Sequence, residues 1–95
     1  MAVVVVFEGV TQDQYEQAVR RLTGGKDRFD SVSDWPVPGI HAHAAGQGAN
    51  TFRVVDVWES EEAFGRFGET LMPIIQELGI QAEPEVYPAH AFVSA

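Results

Sequence analysis

The chain has no cysteine, so disulfides and thiolate metal sites are excluded. Positive charge is scarce: 6 Lys+Arg stand against 14 Asp+Glu, a formal net charge of -8. Such a chain is repelled by phosphate backbones and by anionic bilayers, which argues against nucleic-acid and membrane partners. The excess of carboxylates is read as a source of solubility ahead of recognition of a basic partner. Long apolar runs are absent. The one near the start, Ala2 to Phe7, lacks a basic leader and is too short for a signal segment or a bilayer span, so a cytoplasmic location is expected. There is no Gly-rich phosphate loop, dinucleotide fingerprint, nucleophile triad or paired-carboxylate motif, and Gly24-Gly25 serves as a helix stop. No flavin is therefore expected.

What is present suits one small packed domain over 1–95, with 45% hydrophobic and 11% aromatic residues. A domain of this size buries only about two thirds of its unfolded surface, so self-association is the cheap way to add stability.

The organising stretch is Phe52 to Phe67, FRVVDVWESEEAFGRF, a strand running into a helix. Period-two alternation puts Phe52, Val54, Asp56 and Trp58 on one strand face. Ser60 caps the helix, Glu61 and Glu62 suit its positive end, and Phe64, Phe67, Leu71, Ile74 and Leu78 form one stripe. Pro73 predicts a kink or restart near Met72, and Gly65 and Gly68 suggest a close approach by something else. Upstream, Val3 to Glu8 reads as a central strand covered on both faces, and Gly9-Val10 as a turn. Thr11 then caps a helix with Gln14 as capping-box partner and Tyr15, Ala18, Val19 and Leu22 as its stripe. Lys26 to Gly39 has no sustained period. It is open to two readings, a lid over a binding site or a plug at the end of the core. Ile40 to Ala45 predicts a strand with Ile40, Ala42 and Ala44 on one face and His41, His43 and Ala45 on the other. Gly46, Gly48 and Asn50 mark a hairpin turn, and Pro84 to Val93 a last strand, held to an edge or bulged by Pro88.

The order is β-α-β-β-α-β. That is α+β ferredoxin-like plaiting, a four-stranded antiparallel sheet with two helices on one face. Strands apolar on both faces, in a fold that covers only one, imply a homodimer packed sheet to sheet.

The run VVDVWESEEAF, Val54 to Phe64, resembles the dimeric α/β-barrel proteins of the antibiotic-biosynthesis-monooxygenase-like superfamily. The size and element order extend the likeness to nearly the whole chain. That superfamily includes cofactor-independent oxygenases of aromatic polyketides, haem-degrading enzymes, dehydratases and proteins without known activity. Its haem-degrading members use an Asn on the first strand and a Trp and a His on the second helix. Here Phe7 and Phe67 stand on those elements and the helix has neither Trp nor His, so no haem is expected. Trp58 is the near match to the aromatic residues of the polyketide oxygenases.

The chain has three histidines, His41, His43 and His90. On one strand face His41 and His43 would project side by side, and His90 on the last strand could meet them across a dimer. Structural and proton-transfer readings rank ahead of a metal site, since no spacing matches a metal motif and none is expected. Asp56, mid-strand among apolar neighbours, reads either as a pocket base or as a salt-bridge partner of Arg53 or Arg66. His43, Asp56 and His90 are thus the candidate catalytic residues. Trp35, His41, Trp58, Phe64, Phe67 and Tyr87 are the candidate substrate contacts, although an aromatic stripe is more often core. The resemblance implies a cofactor-independent monooxygenase for a hydrophobic, aromatic or polyketide-like molecule. A cyclase, isomerase or dehydratase on the same scaffold, or a non-catalytic ligand-binding or regulatory dimer, remains open. A pocket that includes a titratable side chain would favour an enzyme over a binding module.

Overall fold

The computed structural model describes residues 1–94. The elements run β1 (Val3–Val10), α1 (Gln12–Thr23), β2 (Ile40–Gln47), β3 (Phe52–Trp58), α2 (Glu61–Glu77) and β4 (Glu85–Pro88). The strands form one antiparallel sheet in the order β2-β3-β1-β4, the ferredoxin-like arrangement. The inward sides of β1 (Val3, Val5, Phe7, Val10) and β3 (Phe52, Val54, Trp58) pack against Ala63, Phe67, Leu71 and Ile75 of α2. Every third or fourth residue of α2 is therefore apolar because that stripe is its contact with the sheet.

The caps follow their residues. Thr11 Oγ1 accepts from Gln14 N–H while Gln14 Oε1 accepts from Thr11 N–H, and Ser60 Oγ accepts from Ala63 N–H. Gly24 ends α1 in the left-handed region at φ 79°.

Several expectations need correction. β1 does not turn at Gly9. Gly9, at φ 84°, forms a bulge there, and the ladder resumes with Val10 opposite Phe52. α2 does not restart at Met72, because Pro73 lies on its exposed side, where water can satisfy the carbonyl that loses its partner. Nothing lies within 4 Å of a Cβ built at Gly65 or Gly68, so no close approach explains them. The last strand stops at Pro88, which removes a ladder donor, and His90 falls beyond it on exposed irregular chain.

The largest departure is in β2. Ile40 pairs with Trp58, Ala42 with Val57, His43 with Asp56 and Ala45 with Val54, so His41 is an extra residue in the ladder. The bulge reverses the alternation expected beyond it. Ile40 and His43 both face the helices, while Ala42 and Ala44 face the open side. His41 and His43 do not project side by side. That open side carries Val4, Val6, Val55 and Val57, half-buried within a single chain, and no helix covers it. The chain after β4 starts across this end of the sheet, with Ala89 N–H donating to Ala2 O at 2.9 Å. It brings Phe92 onto His41, with ring centroids 5.5 Å apart.

Candidate active site

Asp56 sits in the middle of β3, only 3% exposed. A buried carboxylate must be paired, and this one is paired on both oxygens. Oδ2 accepts from Trp58 Nε1–H at 3.2 Å, and Oδ1 lies 2.6 Å from His43 Nδ1. A carboxylate can only accept, so Nδ1 carries the hydrogen. In the neutral ring Nε2 is then an acceptor, and Tyr15 Oη donates to it at 2.6 Å. The result is one hydrogen-bonded chain, Trp58–Asp56–His43–Tyr15. Burial, and then the negative charge of Asp56, push the Tyr15 phenol up to about 12, so it keeps its proton. Asp56 makes no salt bridge with an arginine: Arg53 points to the other face and binds Glu8 at 2.8 Å.

Each partner is set by its element. The bulge at His41 turns His43 inward to the register position opposite Asp56. The stripe of α1 carries Tyr15 over the sheet, where its ring also packs against Phe52 at 5.4 Å. The loop between α1 and β2 closes over His43. Its Phe29 and Trp35 stack at 3.7 Å and both meet the imidazole edge-on, at 5.2 and 5.0 Å. Asp34 fastens this loop through the backbone N–H groups of Asp30 and Ser31 and through Lys26 Nζ. Its far end is fixed where Gly39, at φ 112°, brings the chain so close to α2 that a Cβ there would lie 2.7 Å from Ala63 Cβ.

Two spaces meet at the His43–Tyr15 pair. The inner one is a cavity of about 70 Å³ between sheet and helices, walled by Val19, Leu22, Leu71, Ile75 and Ile80. The outer one is an open groove of about 670 Å³ bounded by α1, the start of the loop and β2, with Gln12, Glu16, Arg28 and Gln47 on its walls. Tyr15, Phe29 and His43 line both.

The structure gathers His43, Asp56, Trp35 and Phe67 at the inner cavity. It separates the others. Trp58 is fully buried behind Asp56 and stacks on Phe67 at 5.0 Å, so it supports the carboxylate without reaching the space. Phe64 packs beside Trp58 and Phe67, away from the cavity wall. Tyr87 pairs with Val4 and faces the open side of the sheet, and His41 and His90 lie outside both spaces. Among the described residues no group of three His, Asp or Glu side chains is placed to hold a metal ion.

No protein-family model and no curated protein matches the chain. Solved structures do. SnoaB, a cofactor-independent oxygenase from Streptomyces nogalater, superposes with a TM-score of 0.62 at 14% identity, over 99% of this chain and 98% of that one. A protein assigned as an antibiotic biosynthesis monooxygenase from Deinococcus radiodurans gives 0.58 at 8% identity, over 100% and 98%. A protein assigned as a monooxygenase from Shewanella loihica PV-4 gives 0.55 at 18%, over 96% of each chain. The chain shares its ferredoxin-like fold with these proteins over nearly its whole length. In this fold the strand-to-helix junction at Val54–Phe64 has a structural role, with Trp58 and Ala63 in the core and Ser60 as cap.

Two residues of the site, Tyr15 and Phe29, were absent from the sequence-based candidates. Tyr15 left a signal. It is the one polar-tipped member of the α1 stripe, and a buried tyrosine hydroxyl needs a partner. Phe29 left none, because a loop without period does not reveal which way its aromatics point.

Proposed function

We propose that the protein is a cofactor-independent monooxygenase for a hydrophobic, aromatic or polyketide-like small molecule. The observation that carries this reading is the His43–Asp56 pair, with the imidazole at the junction of an apolar cavity and an open groove. A pocket with titratable side chains also favours an enzyme over a passive binding module. The fold likeness to SnoaB lends support to the reaction class by analogy alone.

In this reading an acidic O–H or C–H of the substrate takes the place of the Tyr15 hydroxyl at His43 Nε2 and gives up its proton there. Asp56 is a positioning residue: it fixes the tautomer and stabilises the imidazolium that forms. The substrate anion transfers an electron to dioxygen, and the radical pair joins in a C–O bond. The peroxide anion takes the proton back from His43. Loss of water then leaves a carbonyl, so that a substrate methylene group and one dioxygen give a carbonyl group and one water. An apolar cavity of about 150 Å³ binds benzene, so the inner cavity, at about 70 Å³, is too small for an aromatic substrate as it stands. The organic molecule therefore approaches from the groove, with Phe29 and Trp35 as a movable cover. A homodimer packed on the open sheet face belongs to the same reading.

The test is oxygen uptake with a panel of anthrones and polycyclic phenols, with ¹⁸O-labelled dioxygen as tracer. One labelled oxygen should enter the product, and His43→Ala should lower kcat/KM by about 10²-fold or more. An uptake rate unchanged by His43→Ala refutes the assignment of the base. Equal turnover under nitrogen, without label, would make the protein a cyclase, isomerase or dehydratase instead.

A further inference from the structure

We infer that the inner cavity is a dioxygen site, distinct from the groove that takes the organic substrate. The occupant rests on the oxygenase reading. Three observations carry the inference.

The first is polarity. The polar atoms of Tyr15, His43 and Asp56 are spent on one another, and the surface left to the cavity is apolar, dominated by Val19, Leu22, Leu71, Ile75 and Ile80. An ordered buried water needs about 2–4 polar partners, and this cavity offers none. Water is therefore weakly held against this lining, and an apolar gas leaving water for it gains transfer free energy. The second is size. At about 70 Å³ the cavity holds about two water volumes. That admits a diatomic molecule and excludes an aromatic ring. The third is position. Tyr15, Phe29 and His43 line the cavity on one side and the groove on the other. A substrate carbon activated by His43 from the groove would thus face the gas across a one-residue partition.

The test needs no substrate, so its outcome is independent of the oxygenase reading. Methyl-labelled protein is placed under several bar of dioxygen, and paramagnetic relaxation of each methyl is measured by NMR. Methyls of Val19, Leu22, Leu71 and Ile75 should relax several-fold faster than those of Val3, Val5 and Ala63, which are buried outside the cavity lining. Ala18→Leu should fill the cavity and abolish the difference; if that variant does not fold, Ala18→Val should reduce it. Equal relaxation of the two methyl sets in the wild-type protein overturns the inference, as does an enhancement that survives a folded Ala18→Leu. Preferential relaxation in a protein that fails every turnover assay would sink the proposed function and leave the gas site standing.

Discussion

Replacing Asp56 by Asn and by Ala should have sharply different outcomes. In Asp56→Ala two buried donors, Trp58 Nε1–H and His43 Nδ1–H, lose their acceptor. At about 1–3 kcal/mol for each orphaned group the loss is about 2–6 kcal/mol, much of the stability of a small domain. Asparagine avoids this. Its carbonyl can still accept from Trp58, while its amide must donate to His43. The ring obliges by moving its hydrogen from Nδ1 to Nε2, which then donates to Tyr15 Oη. The donors of Trp58 and His43 stay paired, and the Tyr15 O–H, which borders the groove, can turn to water, so the cost should be about 1–2 kcal/mol, below that of the alanine variant. The chemistry does not survive, since Nε2 now holds a proton and cannot take one. A wrong-tautomer imidazole lowers turnover by about 10⁴-fold. Urea unfolding measures the first effect, and ¹⁵N–¹H correlations of the imidazole report the tautomer directly. A wild-type ring protonated on Nε2, or an Asp56→Asn variant as unstable as Asp56→Ala, would refute the reasoning.

Tyr15 should be the late tyrosine in an ultraviolet phenolate titration, ionising near 12 instead of 10.0. An acid whose pKa is raised by folding leaves stability intact below its unfolded pKa, so the loss should fall between pH 10 and pH 12, and Tyr15→Phe should remove it. Trp35→Ala should change ligand affinity or turnover while costing less than about 3 kcal/mol, because the ring is only partly buried against the core. A larger loss in equilibrium unfolding would make the loop a structural plug. At micromolar concentration sedimentation should give twice 10.4 kDa, with a dimer interface of about 1,500 Å² or more, and Val55→Lys on the open face should yield a folded monomer. A wild-type monomer would end the sheet-to-sheet proposal.

The element order, both helix caps and the edge position of the Pro88 strand were legible, because each rests on local chemistry: a Thr–Gln box, a Ser before two glutamates, a missing donor. Asp56 stood out because a carboxylate among Val54, Val55 and Val57 demands an explanation. Its partner did not. His43 was placed beside His41 by strict alternation, and a bulge that adds one residue to the ladder is invisible to a period-two count. Trp58 and Phe64 looked like ligand contacts since size and aromaticity do not distinguish a core wall from a pocket wall. The face that Tyr87 takes depends on its pairing with Val4, a partner the sequence does not encode locally.

The bulge at His41 has a consequence for how this edge strand is held. Residues 40 to 47 read IHAHAAGQ, and small alanines at 42, 44 and 45 would sit tolerably on either face. Hydrophobic pattern therefore does little to choose among pairings. The alternative without a bulge would put Ala42 opposite Asp56 and leave a buried carboxylate short of a donor. The hydrogen bond from His43 thus works as a latch on the strand as well as a part of the chemistry. A substitution that retires the pair without a hydrogen-bonding substitute, such as Asp56→Leu, would free the edge to slide by one position and expose unpaired backbone. Loss of activity and a tendency to aggregate should then travel together. A relative that has dispensed with the histidine would be expected to have shortened this strand by the one residue that the bulge accommodates.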